Sequence, residues 1–188
     1  MKKKLMSALA AGLLTVSAVA VPIAAQAQPV EFEHYSGTNS FDTDECGFPA
    51  HVDVTFEGLF MLKENKDGGP ALLMDNYHVV ETGTANGRTL TIEHQGMIKE
   101  TSFELVEGTI YQVEVMEAGQ PFVMSDENGT VFLRDRGLLR WTYQVDTADP
   151  DPANWVEVEG SFEILADHGS HPGFYFDFCA ALEEYFFG

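Results

Sequence analysis

The amino-acid sequence predicts an all-β protein: a single-domain antiparallel β-barrel or β-sandwich of about eight to ten strands. Three observations predict it. Apolar and polar residues alternate with period two over most of the chain, the pattern of half-buried antiparallel strands. Between the alternating runs, Gly recurs beside Asn, Asp or Gly, which supplies the positive φ that tight turns need. Only the stretch "DFCAALEEYF", close to the C-terminus, suits a helix, and that helix is short.

Residues 1–27 are set apart from the fold. Lys2, Lys3 and Lys4 precede a long apolar run that ends at Ala25-Gln26-Ala27, the layout of a secretory signal peptide cleaved after Ala27. The rival reading is a retained membrane anchor; Pro22 and the small-residue site behind it favour removal. The expected mature protein is residues 28–188, one domain, secreted and monomeric.

Strand runs follow in order. In "HVDVTFEG", Val52, Val54 and Phe56 share one face and Asp53, Thr55 and Glu57 the other. "RTLTIEHQG" sets Leu90 and Ile92 against Thr89, Thr91 and Glu93; "TIYQVEVME" sets Tyr111, Val113 and Val115 against Gln112 and Glu114. "WTYQVD" offers Trp141, Tyr143 and Val145, and "VEVEGSFEI" offers Val156, Val158, Phe162 and Ile164 with Gly160 in phase. Turns are expected at 65–70, 84–87 and 126–129, and a surface loop at 146–154. Gly58 and Gly96, inside strand runs, predict bulges or sharp bends, which tilt the choice toward a barrel.

The whole chain has a formal net charge of −20. Three of its ten basic residues lie in the leader and all thirty acidic ones beyond it, so the mature domain carries −23. Such a charge disfavours nucleic acid and anionic membrane as partners and draws cations diffusely. A nucleotide-binding glycine loop and a nucleophile elbow are both missing from the sequence, and no cofactor is implied. Two cysteines remain, Cys46 and Cys179, and an even pair in an exported chain suggests a disulfide.

Four sets of residues are candidates for chemistry. Three of the four arginines, Arg134, Arg136 and Arg140, crowd into "RDRGLLR". A strand–turn–strand reading puts Asp135-Arg136-Gly137 at a hairpin turn, with Arg134 and Arg140 flanking it and Arg136 at its tip. Guanidinium forks there suit an anion. The structural alternative, that Arg134 and Arg140 pair with the domain's own carboxylates, is the stronger reading in so acidic a chain. Asp167, His168, His171 and Asp177 form a candidate metal set, although their spacing matches no defined zinc pattern. Asp146, Asp149 and Asp151 offer hard oxygens that suit calcium, but without EF-hand spacing a solvated loop is the stronger reading. His94 continues the apolar face of Leu90 and Ile92 and so points inward, as a core histidine or an acid/base group in a pocket.

The stretches "CGFP" (46–49), "EAGQPF" (117–122), "RDRGLLR" (134–140), "HPGF" (171–174) and "DFC" (177–179) resemble a family of uncharacterised secreted proteins of actinobacteria. The resemblance implies export and the pairing of Cys46 with Cys179; it brings no activity and no functional residue. The leading expectation is therefore a secreted module that binds a small molecule or extracellular ligand. The alternatives are an enzyme with a metal-assisted or acid/base site drawn from Asp167, His168, His171 and His94, and a structural surface protein.

Overall fold

A computed structural model describes residues 31–65 and 69–188; the expected leader lies outside the described residues. The described chain is antiparallel β-structure with one short helix. Its strands are β1 (Glu31–Thr43), β2 (Ala50–Lys63), β3 (Leu72–Ala85), β4 (Arg88–Glu107), β5 (Ile110–Asp126), β6 (Val131–Asp146), β7 (Val156–Glu157) and β8 (Glu163–Ser170), followed by helix α1 (Phe178–Phe187). All eight strands belong to one sheet. The first six form a meander in chain order; β7 and β8 both pair with the far edge of β6. The sheet does not close on itself, and β1 is an edge strand. Among the described residues no helix is long and apolar enough to cross a membrane.

Local chemistry explains the turns. Asn86 and Gly87 join β3 to β4 with φ of 49° and 74°, a two-residue hairpin in which both central residues need the left-handed region. At the β5–β6 turn, Asp126 Oδ1 accepts the backbone N–H groups of Asn128 and Thr130, and Gly129 takes φ 79°. Strands of up to twenty residues result, longer than the alternating runs suggest.

The region 131–146 differs from expectation. It holds no hairpin: β6 runs unbroken through Asp135, Arg136 and Gly137. Gly137 has φ 138°, yet its role is close approach and not reversal, because a Cβ there would collide with the carbonyl of His168 and come within 2.8 Å of the Cα of Gly169. The run 156–164 is likewise not one strand. A turn at Gly160 (φ 80°) separates β7 from β8, and Val156, Phe162 and Ile164 are exposed. Gly58 causes no register shift in β2, and the nearest shift to Gly96 in β4 falls between Glu93 and Gln95. These two glycines leave room for tyrosines: a Cβ on Gly58 would strike the Tyr35 ring, and one on Gly96 would lie 2.9 Å from the Tyr77 hydroxyl oxygen.

One face of the sheet carries two separate apolar clusters. Ala85, Leu90, Ile92, Met124 and Leu133 are covered by Phe186 of α1, with Phe48, Phe176, Phe178 and Leu182 packed around them. Toward the other strand ends, Phe103, Val113, Val115 and Val145 are covered by Trp141, Tyr143 and Trp155. Asp177 caps α1, its carboxylate accepting the N–H of Ala180 at 3.1 Å. The Cys46–Cys179 disulfide bridges 133 residues and ties the β1–β2 connection to the first turn of the helix, so Phe48 is held against Phe186 and Phe187.

Candidate functional site

Strand register builds the site. Tyr35 pairs with Gly58, Gly58 with Tyr77, Tyr77 with Gly96, Gly96 with Gly119, Gly119 with Gly137 and Gly137 with Gly169. A single row crossing seven strands is thus glycine and tyrosine only. Gly119, Gly137 and Gly169 all lie near φ 138°, where a side chain would be strained.

Over this row lies an open trough of about 1110 Å³. Its floor is the row from Tyr35 to Gly119, and its walls are chiefly the residues one step to either side. On one wall stand Ser36, Glu57, His78, Gln95, Gln120 and Arg136; on the other stand His34, Leu59, Asn76, Met97 and Ala118. Alternate residues of a strand point to opposite faces. Residues two steps from the row, including Asp75, His94 and Glu117, do not line the trough. The trough therefore opens on the face opposite the two apolar clusters.

The arginines separate here. Arg140 pairs with Glu114 at 3.0 Å, as expected of a structural arginine. Arg134 and Arg136 are exposed, line the trough, and make no ion pair among the described residues, which corrects the expectation that Arg134 pairs with a carboxylate. Register sets Arg136 opposite Ser170 of β8 and Arg134 opposite Val123 of β5, with Gln120 in the register shift between Gly119 and Phe122. Among the described residues no carboxylate lies within ion-pair distance of either. Glu57, the acidic residue of the trough wall, lies 3.5 Å from Nδ1 of His78 at the far end.

Beneath the floor, on the core face, lies a polar belt between the two apolar clusters. The Tyr35 hydroxyl donates to Asp75, 2.8 Å from Oδ2, and the Tyr77 hydroxyl donates to Glu117. Burial raises both phenols above the ordinary tyrosine value, reinforced by the neighbouring carboxylates. Burial also raises Asp75, Glu117 and Asp135 above the usual carboxylate range, although each accepts a hydrogen bond that opposes the shift. Asp135 Oδ1 accepts the N–H of Gly173 at 2.8 Å and so docks the 171–176 segment onto β6.

Two histidines complete the belt. His94 faces inward as expected; its Nδ1–H donates to the carbonyl of Pro121 at 2.7 Å, and its Nε2 is buried without a hydrogen-bond partner. His171, with a side chain only 2 % exposed, also has a buried unpartnered Nε2, 3.4 Å from Asp167 Oδ1. Both act electrostatically on Glu117. Of the belt, Asp135 and His171 are buried, whereas Tyr35 and Tyr77 also line the trough floor.

Of the candidate metal set, only Asp167 and His171 meet. His168 neighbours Asp167 in β8 and so points to the opposite face, and Asp177 is taken up as the helix cap. Among the described residues no group of three or more His, Cys, Asp or Glu is placed to hold a metal ion. The three loop aspartates organise their own backbone: Asp146 Oδ1 accepts from Thr109 and Ala148, Asp149 from Asp151, and Asp151 caps the short 3-10 turn Pro152–Asn154.

The sequence singled out Arg134 and Arg136 but not the other residues of the trough walls, nor Tyr35, Asp75, Tyr77 and Glu117. Their one signal was glycine inside strand runs, which marks close approach without saying of what. No protein-family profile, curated protein or solved structure matches the chain.

Proposed function

We propose that the protein is an exported binding module that takes an anionic, polar ligand in the trough. The observation that carries this reading is the pair Arg134 and Arg136: exposed, without carboxylate partners among the described residues, on the wall of an open trough, in a chain of net charge −20. Guanidinium groups left free amid an excess of acid, beside amides and imidazoles, form a local anion site. Export is supported by the leader-like residues 1–27 and by the Cys46–Cys179 disulfide, which persists in an oxidising compartment.

Thermal melts with citrate and with phosphate test the proposal. The wild-type midpoint rises saturably with anion, and the rise shrinks as sodium chloride screens the site. In the double variant Arg134→Ala/Arg136→Ala it disappears. An equal rise in the double variant would remove the trough from consideration.

A further inference from the structure

The shape and chemistry of the trough specify its occupant more closely than an anion. Resting on the reading above, we infer that the ligand is an acidic oligosaccharide lying across the strands, its carboxylate or sulfate end at Arg134 and Arg136.

Length is the first ground. The lining residues come from six consecutive strands, β1 to β6. Five inter-strand steps of about 4.8 Å give a span of about 24 Å. A single small anion fills only the β6 end; a chain uses the whole.

Hydrogen-bonding capacity is the second. The floor strands β2 to β5 are paired on both sides, so their backbone groups are committed to the sheet ladders. An extended peptide recognised by strand addition finds no free edge there. Recognition falls to side chains, and Ser36, Asn76, Gln95 and Gln120 each offer both a donor and an acceptor, while His78 is held between Glu57 and Glu93. Such groups match ring hydroxyls, which also donate and accept.

Glu57 is the third. A carboxylate only accepts, so an acidic side chain or a bare anion, which also only accepts, offers it no hydrogen bond. It suits a hydroxyl donor. A ligand that satisfies Glu57 at one end and two arginines at the other carries hydroxyls and negative charge together, as a uronic acid chain does. The opposing walls agree: on one side Leu59, Met97 and Ala118 place apolar surface for ring C–H faces among His34 and Asn76, while the other side is polar throughout.

Isothermal titration with oligogalacturonates from dimer to hexamer tests this, with neutral cello-oligosaccharides, pentaglutamate and citrate as comparisons. Affinity is expected to rise by about tenfold or more from dimer to hexamer, with the neutral chains and pentaglutamate binding weakly. Glu57→Ala separates the possibilities further. Removing a negative charge strengthens any ligand held by charge alone, so citrate affinity stays level or rises, whereas hexagalacturonate loses about fivefold with its hydroxyl acceptor. Arg136→Ala weakens both. No dependence on chain length, pentaglutamate binding as tightly as the hexamer, or a hexamer strengthened by Glu57→Ala overturns the oligosaccharide while leaving the anion site intact. If Arg136→Ala changes neither ligand, the trough reading itself fails.

Discussion

At Glu117 the fold holds a carboxyl group in conditions that favour its neutral form, since burial raises it above the usual glutamate range against the hydrogen bond from Tyr77. A group raised in the folded state adds stability below its unfolded value and loses that contribution as pH climbs through the folded one. Glu117→Gln keeps an acceptor for Tyr77 and removes the titration. Its melting temperature is expected to exceed that of wild type by a few degrees at pH 7–8, with the gap closing toward pH 4 as Glu117 takes up its proton; parallel melts across that range check it. The arginines behave as individuals in the same way. Arg140→Ala breaks a half-exposed pair with Glu114 and costs about 0.2–1 kcal/mol. Arg134→Ala and Arg136→Ala, with no partner to strand, stay within about 0.5 kcal/mol of wild type. Urea midpoints of the three variants report the difference, and a large loss at Arg134 would point to an unrecognised partner.

Among elements, β6 shows how a local signal misleads. Asp135-Arg136-Gly137 has the composition of a turn, and Gly137 does take a positive φ, but the strand continues because Gly119 and Gly169 face it from both sides. Three strands approach each other there more closely than side chains permit. Gly137→Ala meets backbone atoms of His168 and Gly169 in a conformation that alanine rarely adopts. Strain and overpacking together are expected to cost more than about 3 kcal/mol. Gly83, in β3, is the control: it has open space around its Cα and no positive φ. Gly83→Ala should be neutral or stabilise by about 0.4–1 kcal/mol through the unfolded chain. Denaturant titrations of both variants test whether glycine is required by the row or merely tolerated in the strands.

For the molecule as a whole, an open sheet with two unconnected apolar clusters relies on ties between distant parts. The disulfide closes nearly the entire described chain into one loop and joins the β1–β2 connection to α1, over the cluster of Leu90, Ile92 and Met124. In the chain-entropy account, a loop of this length contributes about 4–5 kcal/mol. At about 2–4 °C per kcal/mol for a chain of this size, Cys46→Ser/Cys179→Ser should melt roughly 10–20 °C lower. Calorimetry of the double variant measures it, and a shift below about 3 °C would mean that the other ties of the helix suffice: Arg88 over the Tyr185 ring, Asn86 donating to the Phe186 carbonyl and Tyr185 donating to the Thr89 carbonyl.

Alternation along "RTLTIEHQG", the Asn86-Gly87 turn, the helix in "DFCAALEEYF" and the pairing of two lone cysteines were all legible in the sequence. Each depends on backbone preference, local period or the want of any other partner. Inward-facing His94 and the pairing of Arg140 with an acid of the domain followed from the same kind of reasoning. Register did not. A period of two says which residues share a face but not which residue of the next strand lies opposite, and the partners of Tyr35, Tyr77 and Gly137 are set by pairings between residues far apart in the chain. For that reason the tertiary structure alone decided where the row of glycines runs, which arginines find carboxylates, and that His168 is turned away from His171. It also placed the two arginines without carboxylate partners beside a trough.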